Sequence, residues 1–446
     1  MHQHTIRFGL FDSMEEPSSI QSADTHWLES IKIELAELSP LSSSWTICRV
    51  PTKLRNTNKD AYTPHIISVG PIHHEERSLK GMEAHKWRYM LSLLERTQNA
   101  VATLDACGKA ILRFDNDVRA SYAEWINYSN TDLAKMMLLD GCFILELLLR
   151  YSNPDPKLQS DPIFTTSWMI LTLQRDLALL ENQIPFFVLE WLFNFTVRRT
   201  ANGLATPSLP DLALRFFRSS INNVNEETLG AGGRQNSHHL LHLIHNCYFP
   251  SSPRIETKGK RNSNNIEFIH CAAALKEAGI WFEKDDTKSL FDLEFRNGVF
   301  RIPPLRVHDS TDALFRNFIA FEQCFQESSQ YITSYVLLMD RLIDTAKDVE
   351  VLERRRIVAN DLGGRDDVAA MFNNICKQIV LRDFYFAGLC EQVNEYYHRR
   401  WNRYKASLKR DYCTNPWTII SLLGAFILIS LTAVQTVYSV LGYYPH

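Results

Sequence analysis

The chain has 446 residues, with 48 Lys plus Arg against 51 Asp plus Glu and a formal net charge of -3. Hydrophobic residues make up 45% and charged residues 22%, with 17 Gly and 17 Pro, which excludes collagen-like and wholly disordered classes and leaves room for one large domain or two ordinary ones. The near-neutral balance gives no support to a general nucleic-acid binder, and nine dispersed cysteines without a CxxC pair support neither a disulfide-held scaffold nor a four-thiolate zinc site.

Residues 1–23 are polar and hold no apolar stretch long enough for a secretory signal. A short helix is expected over 24–38, with Leu28, Ile31, Leu35 and Leu38 on one face and Pro40 ending it. Segments 47–50 and 64–69 read as extended, the second stopped by Gly70-Pro71. Helix is expected over 83–103 from the recurrence of Trp87, Met90, Leu91, Leu94 and Val101. The stretch 131–151 is apolar almost all round, so it predicts a central helix.

The apolar run 168–197 is broken at Leu180-Glu-Asn-Gln-Ile-Pro185. Pro185 lacks an N–H and clashes with the carbonyl four residues back. Two helices with a corner, or one sharply kinked helix, are expected. Glu181, Asn182, Gln183 and Pro185 are read as a structural polar corner. Arg175, Asp176, Glu181 and Glu190 argue against a membrane span here, because charge at bilayer depth is costly. Residues near 219–236 and 250–265 read as polar loops. A short helix over 266–276 precedes strands at 280–282, 290–295 and 299–302, with Asn297-Gly298 as a hairpin turn. Helix returns over 311–325, 331–356, 366–380 and 385–409.

From Tyr412 to His446 there is no Asp, Glu, Lys or Arg. Residues 418–440 would make a helix about 35 Å long, against a hydrocarbon core of about 30 Å. Arg399, Arg400, Arg403, Lys405, Lys409 and Arg410 precede this run as a basic flank, and Trp417, Tyr443 and Tyr444 sit where interfacial anchors would. The expectation is one C-terminal transmembrane helix with a large cytoplasmic N-terminal region, in the plasma membrane or an endomembrane. The partners expected are the lipid bilayer, its anionic head groups and a membrane-associated protein, with no nucleic acid.

Chemistry has few candidates. His238, His239, His242 and His245 could meet on a helix face, but no His-Glu-x-x-His is present and the interleaved Leu240, Leu241, Leu243 and Ile244 favour packing. His65, His73 and His74 flank Gly70-Pro71, where a turn could gather them beside Cys48 or Glu75. Asp140, Glu146, Glu181, Glu322 and Asp340 lie among apolar residues, with Arg88, Arg175, Arg316 and Arg341 as candidate ion-pair partners. No nucleophile elbow, phosphate loop or dinucleotide fingerprint occurs. No catalytic, metal or cofactor residue is assigned, no cofactor is expected, and the chain is not read as an enzyme.

Several blocks, in one order, resemble the plant DUF247 family, also called UPF0481. They are Ile67-Ser-Val-Gly-Pro-Ile-His-His74, Met82-Glu-Ala-His-Lys-Trp-Arg88, Met137-Leu-Leu-Asp-Gly-Cys-Phe143, Leu180-Glu-Asn-Gln-Ile-Pro-Phe-Phe187, Phe315-Arg-Asn-Phe-Ile-Ala-Phe-Glu322 and Asn415-Pro-Trp417. The resemblance spans 47–444. It implies a plant protein with one membrane pass and no established enzyme activity, and a link to pollen self-incompatibility in some grass relatives.

The fold expected is therefore mostly α: a large helical domain with a small antiparallel β insertion and a C-terminal transmembrane helix. Its regions would be a variable part at 1–46, the helical domain at 47–411 and an anchor at 412–446. The function expected is membrane-anchored protein interaction, recognition or signalling. The alternatives are an enzyme whose site comes from distant loops and an extracellular recognition protein of reversed topology.

Overall fold

The computed structural model describes residues 26–37, 45–153, 160–198, 207–221, 237–248, 268–286, 289–325, 329–399 and 416–443. Two compact units divide the chain, Met1–Ser44 and Trp45–His446. In the first, α1 (His26–Glu37) matches the short helix expected there.

The second unit is built around α5 (Asn130–Ser152), buried from Leu139 through Leu148 without a break. Before it come α2 (Glu83–Glu95), α3 (Ala100–Arg113) and α4 (Asp115–Ala120). Both α2 and α3 pack on α5. The expected 83–103 helix is thus two helices, because Asn99 takes extended backbone and its side chain accepts the Ala102 N–H at 3.0 Å. Next are α6 (Ser167–Asp176) and α7 (Phe186–Phe193), with the corner between them and Pro185 standing just before α7. A Cβ on Gly141 would lie 2.5 Å from Leu192 Cδ1, so α5 and α7 approach closely at that glycine.

Short helices α8 (Leu209–Phe217), α9 (Leu240–Asn246) and α10 (Ala272–Glu277) lead to the β insertion. There β2 (Glu294–Arg296) and β3 (Val299–Ile302) form the expected antiparallel hairpin. Asn297 and Gly298 have φ of 52° and 81°, both positive as a two-residue type I′ turn requires. β1 (Trp281–Lys284) joins the other edge of β3 in parallel, giving the order β1-β3-β2. A second pair, β4 (Leu305–Val307) with β5 (Val358–Asn360), is parallel and was not expected.

The rest is helical: α11 (Asp309–Cys324), α12 (Tyr331–Leu342), α13 (Ala346–Glu353), α14 (Arg365–Ile375) and α15 (Ala387–His398). The expected 331–356 helix breaks where Thr345 and Asp348 form a capping box that starts α13. The mostly α fold with a small antiparallel insertion is therefore as expected. Of the two polar loops, 222–236 and 250–265 lie outside the described residues.

The transmembrane expectation is corrected. Among the described residues no helix is long and apolar enough to cross a membrane. The 418–440 run does lie in a helix, α16 (Pro416–Tyr443). Within it, the Ser430, Thr432 and Thr436 hydroxyls each donate to the carbonyl four residues back at 2.8 Å. With the span go its dependents: the anchor at 412–446, the bilayer and its anionic head groups as partners, and the single-pass membrane location.

Candidate functional site

The segment from His65 to Gly70 bends at His65, Ile66 and Gly70, so the run expected to be extended over 64–69 is interrupted, and it joins no β ladder. Buried backbone N–H groups need acceptors, and here side chains provide them. The Asp176 carboxylate, at the end of α6, accepts from the N–H groups of His65, Ile66 and Ile67 at 2.8–3.2 Å. Asn182 Oδ1 accepts the Val69 N–H at 2.7 Å, and Asp140 Oδ2 accepts the Gly70 N–H at 2.9 Å. In the other direction, Asn182 Nδ2 donates to Ile67 O at 3.0 Å and Lys86 Nζ donates to Ser68 O at 2.6 Å. Four elements, α2, α5, α6 and the 177–185 corner, thus replace a partner strand.

The corner is held by its own polar side chains. Asn182 Nδ2 also donates to Asp176 O at 2.9 Å, and Gln183 Nε2 donates to Leu177 O and Leu179 O, both at 2.8 Å. Gln183 Oε1 accepts the Leu241 N–H at 3.2 Å, which ties α9 to the corner. Gly70 turns with φ +74°, and a Cβ there would lie 2.4 Å from Gln183 O. Tyr122 donates its hydroxyl to that same carbonyl at 3.0 Å.

Glu181, 1% exposed, gathers the chain from the other side. It accepts the Val50 N–H at 2.6 Å and a hydrogen bond from the Arg55 guanidinium. His73 Nε2 lies 3.0 Å from Glu181 Oε2, off the line of an ideal hydrogen bond, and His73 Nδ1 lies 2.5 Å from Glu76. Burial alone would raise the Glu181 pKa, but His73, Arg55 and the Val50 N–H outweigh it and hold the carboxyl below its usual range. Asp140 and Asp176 go the other way. Burial raises both, against Lys86 for Asp140 and against three backbone N–H groups and Arg175 for Asp176. Lys86 pairs with Asp140 at 2.7 Å, and that partner outweighs burial to keep the ammonium protonated.

A second knot adjoins the first. Asn317 Oδ1 on α11 accepts the Leu180 N–H at 2.9 Å, and its amide donates to Ala61 O and Ala313 O, both at 2.8 Å. Glu322, on the same helix, accepts the N–H groups of Ile332 and Thr333 at 3.0 and 2.8 Å and so caps α12. It also meets His245 Nε2 at 2.8 Å. His239 Nδ1 accepts the His242 N–H at 3.1 Å and caps α9. His239, His242 and His245 pack their rings on Phe321, with His239 and His245 buried and His242 partly buried. Burial first, then neighbouring imidazoles, push His239 down to about 3 and His242 down to about 2. Among the described residues no group of three or more His, Cys, Asp or Glu could hold a metal ion.

The other sequence candidates fall elsewhere. His65 pairs with Asp60 at 3.0 Å, and His74 meets the edge of Tyr128 at 5.9 Å. Glu146 is held by Arg96 at 2.8 Å and by Arg150 at 2.8 Å, and Asp340 lies 3.9 Å from Arg341. Arg316 pairs with Asp312 and Arg175 with Asp176. Arg88 is exposed. Of the basic flank, Arg399 is exposed just after α15, whereas Arg400, Arg403, Lys405, Lys409 and Arg410 lie outside the described residues. Sequence reasoning missed Arg55, Lys86 and Arg96, whose partners are 126, 54 and 50 residues away and leave no local trace. Arg150 was findable, since it stands four residues after Glu146 on one helix.

These carboxylates face donors in the interior rather than a cleft. A depression lined by Gln174, Arg175, Leu179, Phe217, Ile244 and Leu314 has a volume of about 10 Å³. That is room for about one water at most. The geometry supports holding distant segments together.

Comparison with known proteins agrees on identity. The family model DUF247, described as "Plant protein of unknown function", matches residues 47–431. The chain is 31% identical to UPF0481 protein At3g47200 of Arabidopsis thaliana over 424 residues, covering 90% of this chain and 87% of that one. It is 23% identical to Putative UPF0481 protein At3g02645 of Arabidopsis thaliana over 505 residues, covering 92% and 94%. No solved structure matches. Five of the six blocks that carry the resemblance supply Gly70, Lys86, Asp140, Asn182 and Asn317 to one buried network, and the chain belongs to the DUF247 family.

Proposed function

We propose that the chain is a non-catalytic protein-binding module, a helical body that presents an exposed apolar pair to a protein partner. The observation that carries this is on α6. Trp168 and Leu171 stand one turn apart and are 56% and 60% exposed, while Asp176 on the same helix anchors the buried hub. A large apolar pair on a well-anchored helix loses little conformational freedom on binding, and Trp is enriched among residues that dominate interface energy. The absence of catalysis rests on the inward-facing carboxylates, each already engaged by donors.

The test is proximity labelling with the full chain in its native cell, comparing wild type with Trp168→Ala/Leu171→Ala. The reading predicts a reproducible set of protein neighbours that falls about tenfold in the variant, at an unchanged melting temperature. An unchanged neighbour set would count against it.

A further inference from the structure

The three-stranded sheet turns one face inward and the other outward. Phe282, Phe300 and Phe295 share a register row and are buried. The opposite face carries two rows, Trp281 with Val299 and Arg296, and Glu283 with Arg301 and Glu294. Its carboxylates are already engaged: Arg301 meets Glu283 and Glu294 at 3.3 and 3.5 Å, and Arg296 meets Glu294 at 2.6 Å. Trp281 is 46% exposed, and the Arg355 guanidinium lies 3.6 Å from the centre of its ring. Arg355 belongs to the turn that ends α13. Nearby, Arg354 pairs with Glu350 and Arg365 with Glu353. Among the described residues no carboxylate lies within ion-pair reach of Arg355 or of the exposed Arg356. Arg356 has φ 58° and closes a Schellman turn, its N–H donating to Glu353 O at 2.8 Å while the Ile357 N–H donates to Leu352 O at 3.0 Å. Glycine is the relaxed residue at that position, so backbone preference does not account for the cation there.

We propose that Trp281, Arg355 and Arg356 form a docking surface for an acidic peptide segment of a partner protein, which lays a carboxylate on the arginines and an apolar side chain against the indole. The positive charge of the two arginines is not offset locally, and a guanidinium binds carboxylate through paired N–H donors. Stacking on Trp281 holds Arg355 in place, so little side-chain freedom is lost when the anion binds. β1 is an edge strand, bonded to β3 on one side. Such an edge offers main-chain groups that an extended polypeptide can use and a simple anion cannot. Glu283 and Glu294 on the same face disfavour a uniformly charged polyphosphate or nucleic-acid backbone. This surface shares no residue with the α6 pair.

The test uses the full-length chain and a fluorescein-labelled peptide of alternating glutamate and valine, read by fluorescence anisotropy, with the glutamine-for-glutamate peptide and tripolyphosphate as comparison probes. The glutamate peptide should bind about tenfold or more tightly than the glutamine peptide, and added salt should weaken it. Arg356→Gly should weaken binding about fivefold without lowering the melting temperature, because glycine suits the left-handed backbone, so the loss cannot be ascribed to unfolding. Trp281→Ala should weaken it by a similar factor. Trp168→Ala/Leu171→Ala should leave the peptide affinity unchanged, so this surface and the α6 reading can fail separately. The proposal is overturned by absent binding of the glutamate peptide, by equal affinity for the two peptides, by unchanged affinity in Arg356→Gly, or by binding of tripolyphosphate without the peptide.

Discussion

Asn182 donates to two carbonyls and accepts one N–H, all inside the core, and nothing of the same size can do all three. Asn182→Ala would leave the Val69 N–H and the Ile67 carbonyl buried without partners. We expect a loss of about 2–4 kcal/mol in urea unfolding. Asn182→Asp separates hydrogen bonding from simple packing. It keeps the Val69 bond but turns a carboxylate oxygen toward two carbonyls, so it should cost at least as much as Ala. A near-wild-type Asp variant would show that only shape matters there. Gly70→Ala is the companion test at the same contact. Positive φ and a Cβ 2.4 Å from Gln183 O predict a loss of about 2 kcal/mol or more.

Elements are joined in this fold as much by buried ions as by apolar packing. Lys86 and Asp140 link α2 to α5, each almost fully buried. Lys86→Met should cost about 3–5 kcal/mol, because Asp140 would be left charged in the core. Adding Asp140→Asn, which still accepts the Gly70 N–H, should recover part of that loss in equilibrium unfolding. A purely additive double variant would mean that the two groups do not interact. At this scale the sequence is legible where periodicity and turn chemistry act locally. The central helix, the 180–185 interruption and the Asn297-Gly298 hairpin could all be read from adjacent residues. Breaks at Asn99 and Thr345 were visible as capping residues but were masked by continuing apolar repeats. The partners of the 65–70 segment were not legible, since Asp140, Asp176 and Asn182 lie about 70 to 113 residues away and no strand pattern announces them. The uncharged C-terminal run could be read as apolar, and it reads as a membrane span from hydropathy alone. The described helix does not provide that span.

For the whole unit Trp45–His446, the neutral histidines of the core set the response to acid. His239 and His242 titrate at about 3 and about 2 when folded, against an ordinary value near 6.5 when unfolded. Below 6.5 the unfolded chain therefore binds protons that the folded chain refuses, and stability falls as pH falls. Between pH 6.5 and 5 each contributes a loss of about 2 kcal/mol. Glu181 adds to this in stronger acid: its depressed folded pKa gives stability that is present above the unfolded carboxylate value and lost below it. Asp140 and Asp176 oppose it, because their raised folded values let the native state take up protons first. His242→Gln should reduce the slope of unfolding free energy against pH, between 6 and 5, by about 1.4 kcal/mol per unit. An unchanged slope would remove His242 from the acid response.

Native-state amide hydrogen exchange read residue by residue tests the hub most directly. With side chains in place of a partner strand, the amides of Ile66, Ile67, Val69 and Gly70 should be as protected as the core of α5. In Asn182→Ala, Val69 should exchange at least about tenfold faster than in the wild-type chain, and the core of α5 should accelerate only by the factor that the loss of global stability sets. Fast exchange of these amides in the wild-type chain would contradict the account.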